Sequence, residues 1–179
     1  MRKLSRLAPP LGIERDYQKA LRKINSRVAS IIKRRVVLAL PSILSNAEIL
    51  RPDSREDGIG EDINDLIAGV TIELEREIPQ REIELLAQRK ASEINNWNRS
   101  QVHRVIKQAI GVNQFIAEPW LAQELNIFVT QNVELIKGAN AAFVSDVRTM
   151  VLEGARSGIR HEVLARRILG NNKDDLNKS

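Results

Sequence analysis

The sequence predicts an all-α protein, an elongated assembly of about six helices with a basic N-terminal helical arm. Three observations carry that expectation. Apolar residues recur at steps of three and four along most of the chain, as in Tyr17, Leu21, Ile24, Val28 and Ile31, which is the pattern of one covered helical face. Aromatic residues are only 3% of the 179, so a core has to be built from Leu, Ile, Val and Ala, which suits packed helices better than an aromatic-rich sheet. No segment alternates apolar and polar residues as a half-buried strand would.

The elements follow in order. Pro9, Pro10 and Gly12 make the first dozen residues a flexible lead-in. From about Glu14 the stripe above predicts a helix to about residue 40, roughly 40 Å long at about 1.5 Å per residue, which Pro41 ends or kinks. The stretch RPDSREDGIGE (51–61) is a loop by composition and the expected boundary between arm and body. Ile63, Leu66, Ile67, Val70, Leu74 and Ile78 mark the next helix, closed by Pro79. A further helix covers about 80–110, with Ile83, Ala87, Ile94 and Trp97 on one side. After Asn98 its stripe rotates to Val102, Val105, Ile106 and Ala109, which predicts a kink or break near 98–100, and Gly111 closes it. Another helix begins near Pro119, a residue tolerated in a first turn, and ends at Gly138. The following one, about 139–156, carries Phe143, Val147, Met150 and Gly154, the glycine letting a neighbouring backbone come close. Ser157-Gly158 turns the chain into a short helix over about 160–169, stopped by Gly170. The organisation is therefore a basic arm and amphipathic helix (1–50), a loop (51–60), a helical body (61–170) and a polar tail (171–179), without a repeat of fixed period.

Composition narrows the function. There is no cysteine, hence no disulfide framework and no thiolate metal site. The longest apolar run, Val36–Leu40, is far below the ~18 residues of a membrane span, and MRKLSRLAPPLG has no apolar stretch of the signal-peptide kind. The expectation is a soluble protein made and kept inside a cell, or inside something assembled there. No catalytic residue, metal ligand set, cofactor or small-molecule substrate is expected. His103 and His161 lie in different helices, and His161-Glu162 are neighbours whose side chains diverge by about 100°. GIGED (58–62) lacks the Lys-Ser/Thr of a phosphate loop. Glu73, Glu75 and Glu77 alternate around their helix and read as a solvated face.

Charge is unevenly distributed. Residues 1–35 hold eleven basic and two acidic side chains, a net of +9; the other 144 hold seventeen and twenty-one, a net of −4, giving +5 overall. A basic front on a mildly acidic body points to a polyanion or an acidic partner surface. Arg15, Lys19, Arg22, Lys23, Lys33 and Arg34 lie broadly opposite the apolar stripe and are the candidate nucleic-acid contacts. Tyr17 alone is aromatic among them, which argues for duplex backbone and against stacking on single strands. The apolar side has no Trp or Phe to seat on a membrane surface.

One residue interrupts an otherwise apolar stripe. In LAQELNIFVTQNVELIKGAN, Leu121, Leu125, Phe128 and Leu135 share a helical face, and Asn132 lies in its middle. Either it touches water at the edge of the stripe, or it is buried and paired and specifies which helix packs where. It has no catalytic partner nearby and reads as architectural.

FVTQNVELIKG, followed by FVSDVRTMVLEGARSGIRHEVLARRI, resembles the Mu F-like minor head proteins of tailed bacteriophages, also called head morphogenesis proteins. The shared pattern falls on Phe128, Asn132, Val133, Leu135, Ile136 and Lys137, then Phe143, Gly154 and Gly158, then Val163, Leu164 and Ile168. INNWNRSQVHRVIKQAIGV (94–112) is also similar, and the resemblance covers about residues 85–169. It implies a structural protein of the virion, in the capsid interior near the portal, synthesised in the host cytoplasm and present in several copies around the portal. The partners it implies are the portal protein, the capsid protein and packaged double-stranded DNA, with a part in head morphogenesis and in holding or releasing the DNA. Family members commonly continue into an Ile-Ala-Arg-Asp-Gln-like segment that is not in this sequence. The alternative is a cytoplasmic helical DNA-binding regulator, which would want a compact helix-turn-helix that reads base edges; the long 41–61 connection between the first two helices matches that poorly.

Non-specific contact with duplex backbone makes a measurable prediction. If about five phosphates are engaged, log K should fall against log salt with a slope near −4.5 for any duplex sequence. A flat response in a salt titration, or strong preference for one site, would exclude it.

Overall fold

The computed structural model describes residues 9–49, 55–111 and 121–174. Among these, the elements are α1 (Leu11–Ile32), a π-helical turn (Lys33–Val37), α2 (Leu40–Ile49), α3 (Arg55–Glu77), α4 (Gln80–Ile110), α5 (Leu121–Arg156) and α6 (His161–Asp174). No strand occurs among the described residues, so the protein is all-α with about the expected number of helices. These residues group into two compact units. The first holds residues up to Lys23 with Gln80–Ile136, the second Ile24–Pro79 with Lys137 onward. The expected arm, by contrast, is packed: Ile24, Val28, Ile31 and Ile32 of α1 are buried core.

α1 begins at Leu11, ahead of the expected Glu14, with the Glu14 amide donating to the Pro10 carbonyl at 3.1 Å. It does not continue as an α-helix to residue 40. Beyond Ile32 the buried positions fall at Val36 and Leu40, steps of four. A 3.6-residue turn would rotate such a stripe off the core, and a π turn, which takes an extra residue, keeps it facing inward. Pro41 accordingly starts a helix and does not end one. The Ile43 amide donates to the Ala39 carbonyl at 3.1 Å, placing Pro41 in the first turn of α2, where backbone donors have no intrahelical partner to lose.

Part of the expected loop 51–60 is also helical. Residues 55–60 form the opening turns of α3, while 51–54 lie outside the described residues. A kink or break is expected at 98–100, and α4 is unbroken there; Ser100 Oγ donates to the Asn96 carbonyl at 2.8 Å within the continuous helix. Gly111, at φ 71°, takes the left-handed conformation that closes α4, its amide 3.0 Å from the Lys107 carbonyl.

The two helices expected over 119–138 and 139–156 are one. α5 passes through Gly138 because a single helical glycine costs only about 1 kcal/mol, and Ala139, Ala141 and Ala142 beside it are strong helix formers. The expected start at Pro119 lies outside the described residues. At the other end, the Ile159 amide reaches back to the Gly154 carbonyl at 2.9 Å and Gly158 adopts φ 62°, a Schellman closure. α6 likewise runs past Gly170 to Asp174 instead of stopping at 169; of the expected tail, 171–174 are helical and 175–179 lie outside the described residues.

Each unit has its own core. In the first, Ile83, Ala87 and Ala91 of α4 and Val133 of α5 are buried. In the second, α1, the π turn and α2 contribute the residues above, α3 adds Ile63, Val70 and Leu74, α5 adds Val144, Val147 and Val151, and α6 adds Leu164 and Ile168. No aromatic side chain is fully buried among them.

Gly154 is expected to let a neighbouring backbone come close; what comes close is a side chain, that of Leu164. A Cβ there would lie 2.7 Å from Cδ2 of buried Leu164. Gly154→Ala should be close to neutral, since a helix-propensity gain of about 1 kcal/mol opposes the shift forced on Leu164. Gly154→Val adds volume that this contact has no room for and should cost about 1–3 kcal/mol. Urea unfolding midpoints of the two variants check the ranking.

Candidate functional site

Asn132 is paired at both ends. The Tyr17 hydroxyl of α1 donates to Asn132 Oδ1 of α5 at 2.8 Å, and Asn132 Nδ2 donates to the Phe128 carbonyl at 2.8 Å. Both side chains are half-buried in the first unit. Burial pushes the Tyr17 phenol above its ordinary 10.0. One amide thus links α1 to α5.

The covered face of α5 is not quite the one the sequence pointed to. Val133 is buried and Phe128, Val129, Asn132, Ile136 and Phe143 are half-buried, while Leu135 is 71% exposed. Apolar residues occupy two adjoining faces here, and the one containing Val129, Val133 and Ile136 has turned inward. Lys137 is exposed, Gly154 meets Leu164, and Gly158 closes the helix.

A second polar centre lies in the other unit. Glu73 of α3 is 4% exposed, and its two carboxylate oxygens accept from Arg34 Nη2 and from Arg35 Nε. Arg34 Nη2 also donates to Glu77 Oε1 at 2.6 Å, and Arg76 Nη2 lies 4.0 Å from Glu73. The hydrogen bond from Arg35, then that from Arg34, holds the Glu73 carboxyl below its ordinary 4.5. Hydrogen bonds to Glu73 and Glu77 raise the Arg34 guanidinium above its ordinary value. Glu73 and Glu77 are therefore not the solvated face expected of them; only Glu75 is fully exposed. The overlooked signal is register: Glu73 lies three residues after Val70, on the core-facing side of the α3 stripe.

The six candidate cations do not form one site. Arg15, Lys19, Arg22 and Lys23 are exposed on the part of α1 in the first unit. Lys33 is exposed on the π turn of the second, whereas Arg34 is committed to carboxylates. The first five make no ion pair among the described residues. A different cation, Lys90, is buried in α4 and paired with Glu93 at 2.6 Å. Exposed cations also lie beyond residues 1–35, among them Arg89, Arg104 and Lys107 of α4 and Arg160, Arg166 and Arg167 at α6; a net charge summed over the front segment does not reveal them. His161 Nε2 lies 3.2 Å from Glu162 Oε1, and among the described residues no three metal-ligating side chains converge.

Tyr17→Phe should cost about 1 kcal/mol, the net worth of a hydrogen bond whose acceptor is left wanting. In a double-mutant cycle with Asn132→Leu, the coupling energy read from urea unfolding should be about 0.5–1.5 kcal/mol; additive effects would separate the two residues. For Glu73 the sign follows from a depressed folded-state value. Its contribution is present above the unfolded value of 4.5 and lost as pH falls through the lower folded value. The urea midpoint of the wild-type chain should therefore fall below that pH. Glu73→Gln should be less stable at neutral pH and fall less steeply in acid.

No protein-family model matches the chain, and no curated protein or solved structure matches it either.

Proposed function

We propose that the chain is a structural protein of a tailed-phage head, a minor component of the capsid interior at the portal that acts in head morphogenesis and contacts packaged double-stranded DNA through exposed cations. The observation that carries this reading is the resemblance over about residues 85–169, together with the tasks its most distinctive positions perform. Asn132 joins two helices through Tyr17, and Gly154 admits Leu164. Residues with such tasks belong to a motif that specifies a scaffold. Arg15, Lys19, Arg22, Lys23 and Lys33, exposed and without an ion pair among the described residues, supply the electrostatic part, since cations of this kind bind phosphates by releasing condensed counterions. Portal and capsid proteins would be met through the body helices, with several copies ordered on the assembly.

Location is the decisive test. The chain should co-purify with mature virions and with empty, portal-containing heads from the same infected cells, and antibody labelling should fall at the portal vertex. Absence from both particles would remove the reading. Tight binding to one duplex sequence would favour the regulator instead.

A further inference from the structure

Most arginines of the second unit whose contacts are defined are occupied. Arg34 and Arg35 are held by Glu73, and Arg148 donates to Asn64 Oδ1 at 3.0 and 2.9 Å. Arg160, Arg166 and Arg167 are different. All three are exposed, and none pairs with a carboxylate among the described residues; Arg166 Nε donates only to the Glu162 carbonyl, at 3.3 Å. We propose that these three arginines, at the start and along the outer face of α6, form a second polyanion-binding surface that grips the phosphate backbone of double-stranded nucleic acid. The surface uses none of the α1 cations invoked above and so goes beyond that reading.

Placement supports it. With about 100° between successive residues, Arg166, Val163 and Arg167 span an arc of about 100°, on the side of α6 away from buried Leu164 and Ile168. Arg160 to Arg167 covers about 10 Å of helix at about 1.5 Å per residue. Three cations over that length face a duplex that carries one charge per about 1.7 Å of axis. The nearest carboxylate in sequence, Glu162, lies against His161 and not against the arginines. α6 also packs against the π turn that carries exposed Lys33.

The chemistry favours duplex phosphate over other anionic partners. All three are arginine, whose planar fork binds phosphate oxygens in pairs, where a lysine offers a point charge. The only apolar residue on their face is Val163, 36% exposed, and no aromatic ring is available there to stack an unpaired base.

The test uses the full chain and a short mixed-sequence DNA duplex, with binding followed by fluorescence anisotropy across roughly 50–200 mM salt. R160Q/R166Q/R167Q should make the slope of log K against log salt shallower by about 2.7, three phosphate contacts at about 0.9 each. R160K/R166K/R167K should keep most of the slope. R167Q alone should lose about 0.9, and this decides the matter should the triple variant not retain the wild-type circular dichroism. K19Q/R22Q/K23Q, measured in parallel, reports on α1, so either surface can fail without the other. An unchanged slope in folded R160Q/R166Q/R167Q overturns the proposal. So does poly-glutamate displacing the protein as effectively, charge for charge, as duplex DNA, which would assign the surface to an acidic protein.

Discussion

A carboxylate withdrawn from water has to be met by cations or hydrogen-bond donors, and Glu73 is met by two arginines adjacent in sequence. Neighbouring residues on a regular α-helix point about 100° apart and do not ordinarily reach one group together. Here they occupy a π turn, and the same turn keeps Val36 and Leu40 in the core. Electrostatics and packing thus ask for the same local irregularity. Much of the second unit depends on it: the π turn packs against α3 and α6, and α2 departs from its end toward both. The carboxylate that looked like surface decoration is the point from which these elements take their positions.

What could be read from the sequence was whatever obeys a single local period. The stripes of α1, α3 and α4 follow 3.6-residue spacing, and their buried residues are largely those the spacing picks out. The amide of Asn132 was also legible as an anomaly, though its partner 115 residues away was not. The errors have two causes. Gly138, Gly170 and the glycines of 58–60 look like helix breakers in isolation, but each is a local cost that a longer helix absorbs. The π turn, the burial of Glu73 and the outward face of Leu135 depend on contacts between distant segments, which no window of neighbouring residues contains.

The cations of the front segment fall into two classes. A net of +9 over residues 1–35 treats its cations as equivalent. Arg34 and Arg35 commit their charge to Glu73, while Arg15, Lys19, Arg22, Lys23 and Lys33 face solvent with no ion pair among the described residues. The arginines of α6 join the second class although they lie in the half of the chain whose total is negative. A count over a segment says how much charge is present; only the pairing says how much remains for a partner.

The contact between Gly154 and Leu164 bears on how the sequence can drift. Leu164 occupies the space that a side chain at 154 would need, so the two positions share one volume. Lineages that lengthen the residue at 154 would be expected to shorten the one at 164, and a turn closed by Gly158 gives the intervening backbone little slack to separate them. The corner between α5 and α6 should therefore evolve as a pair of linked sizes rather than as two independent sites.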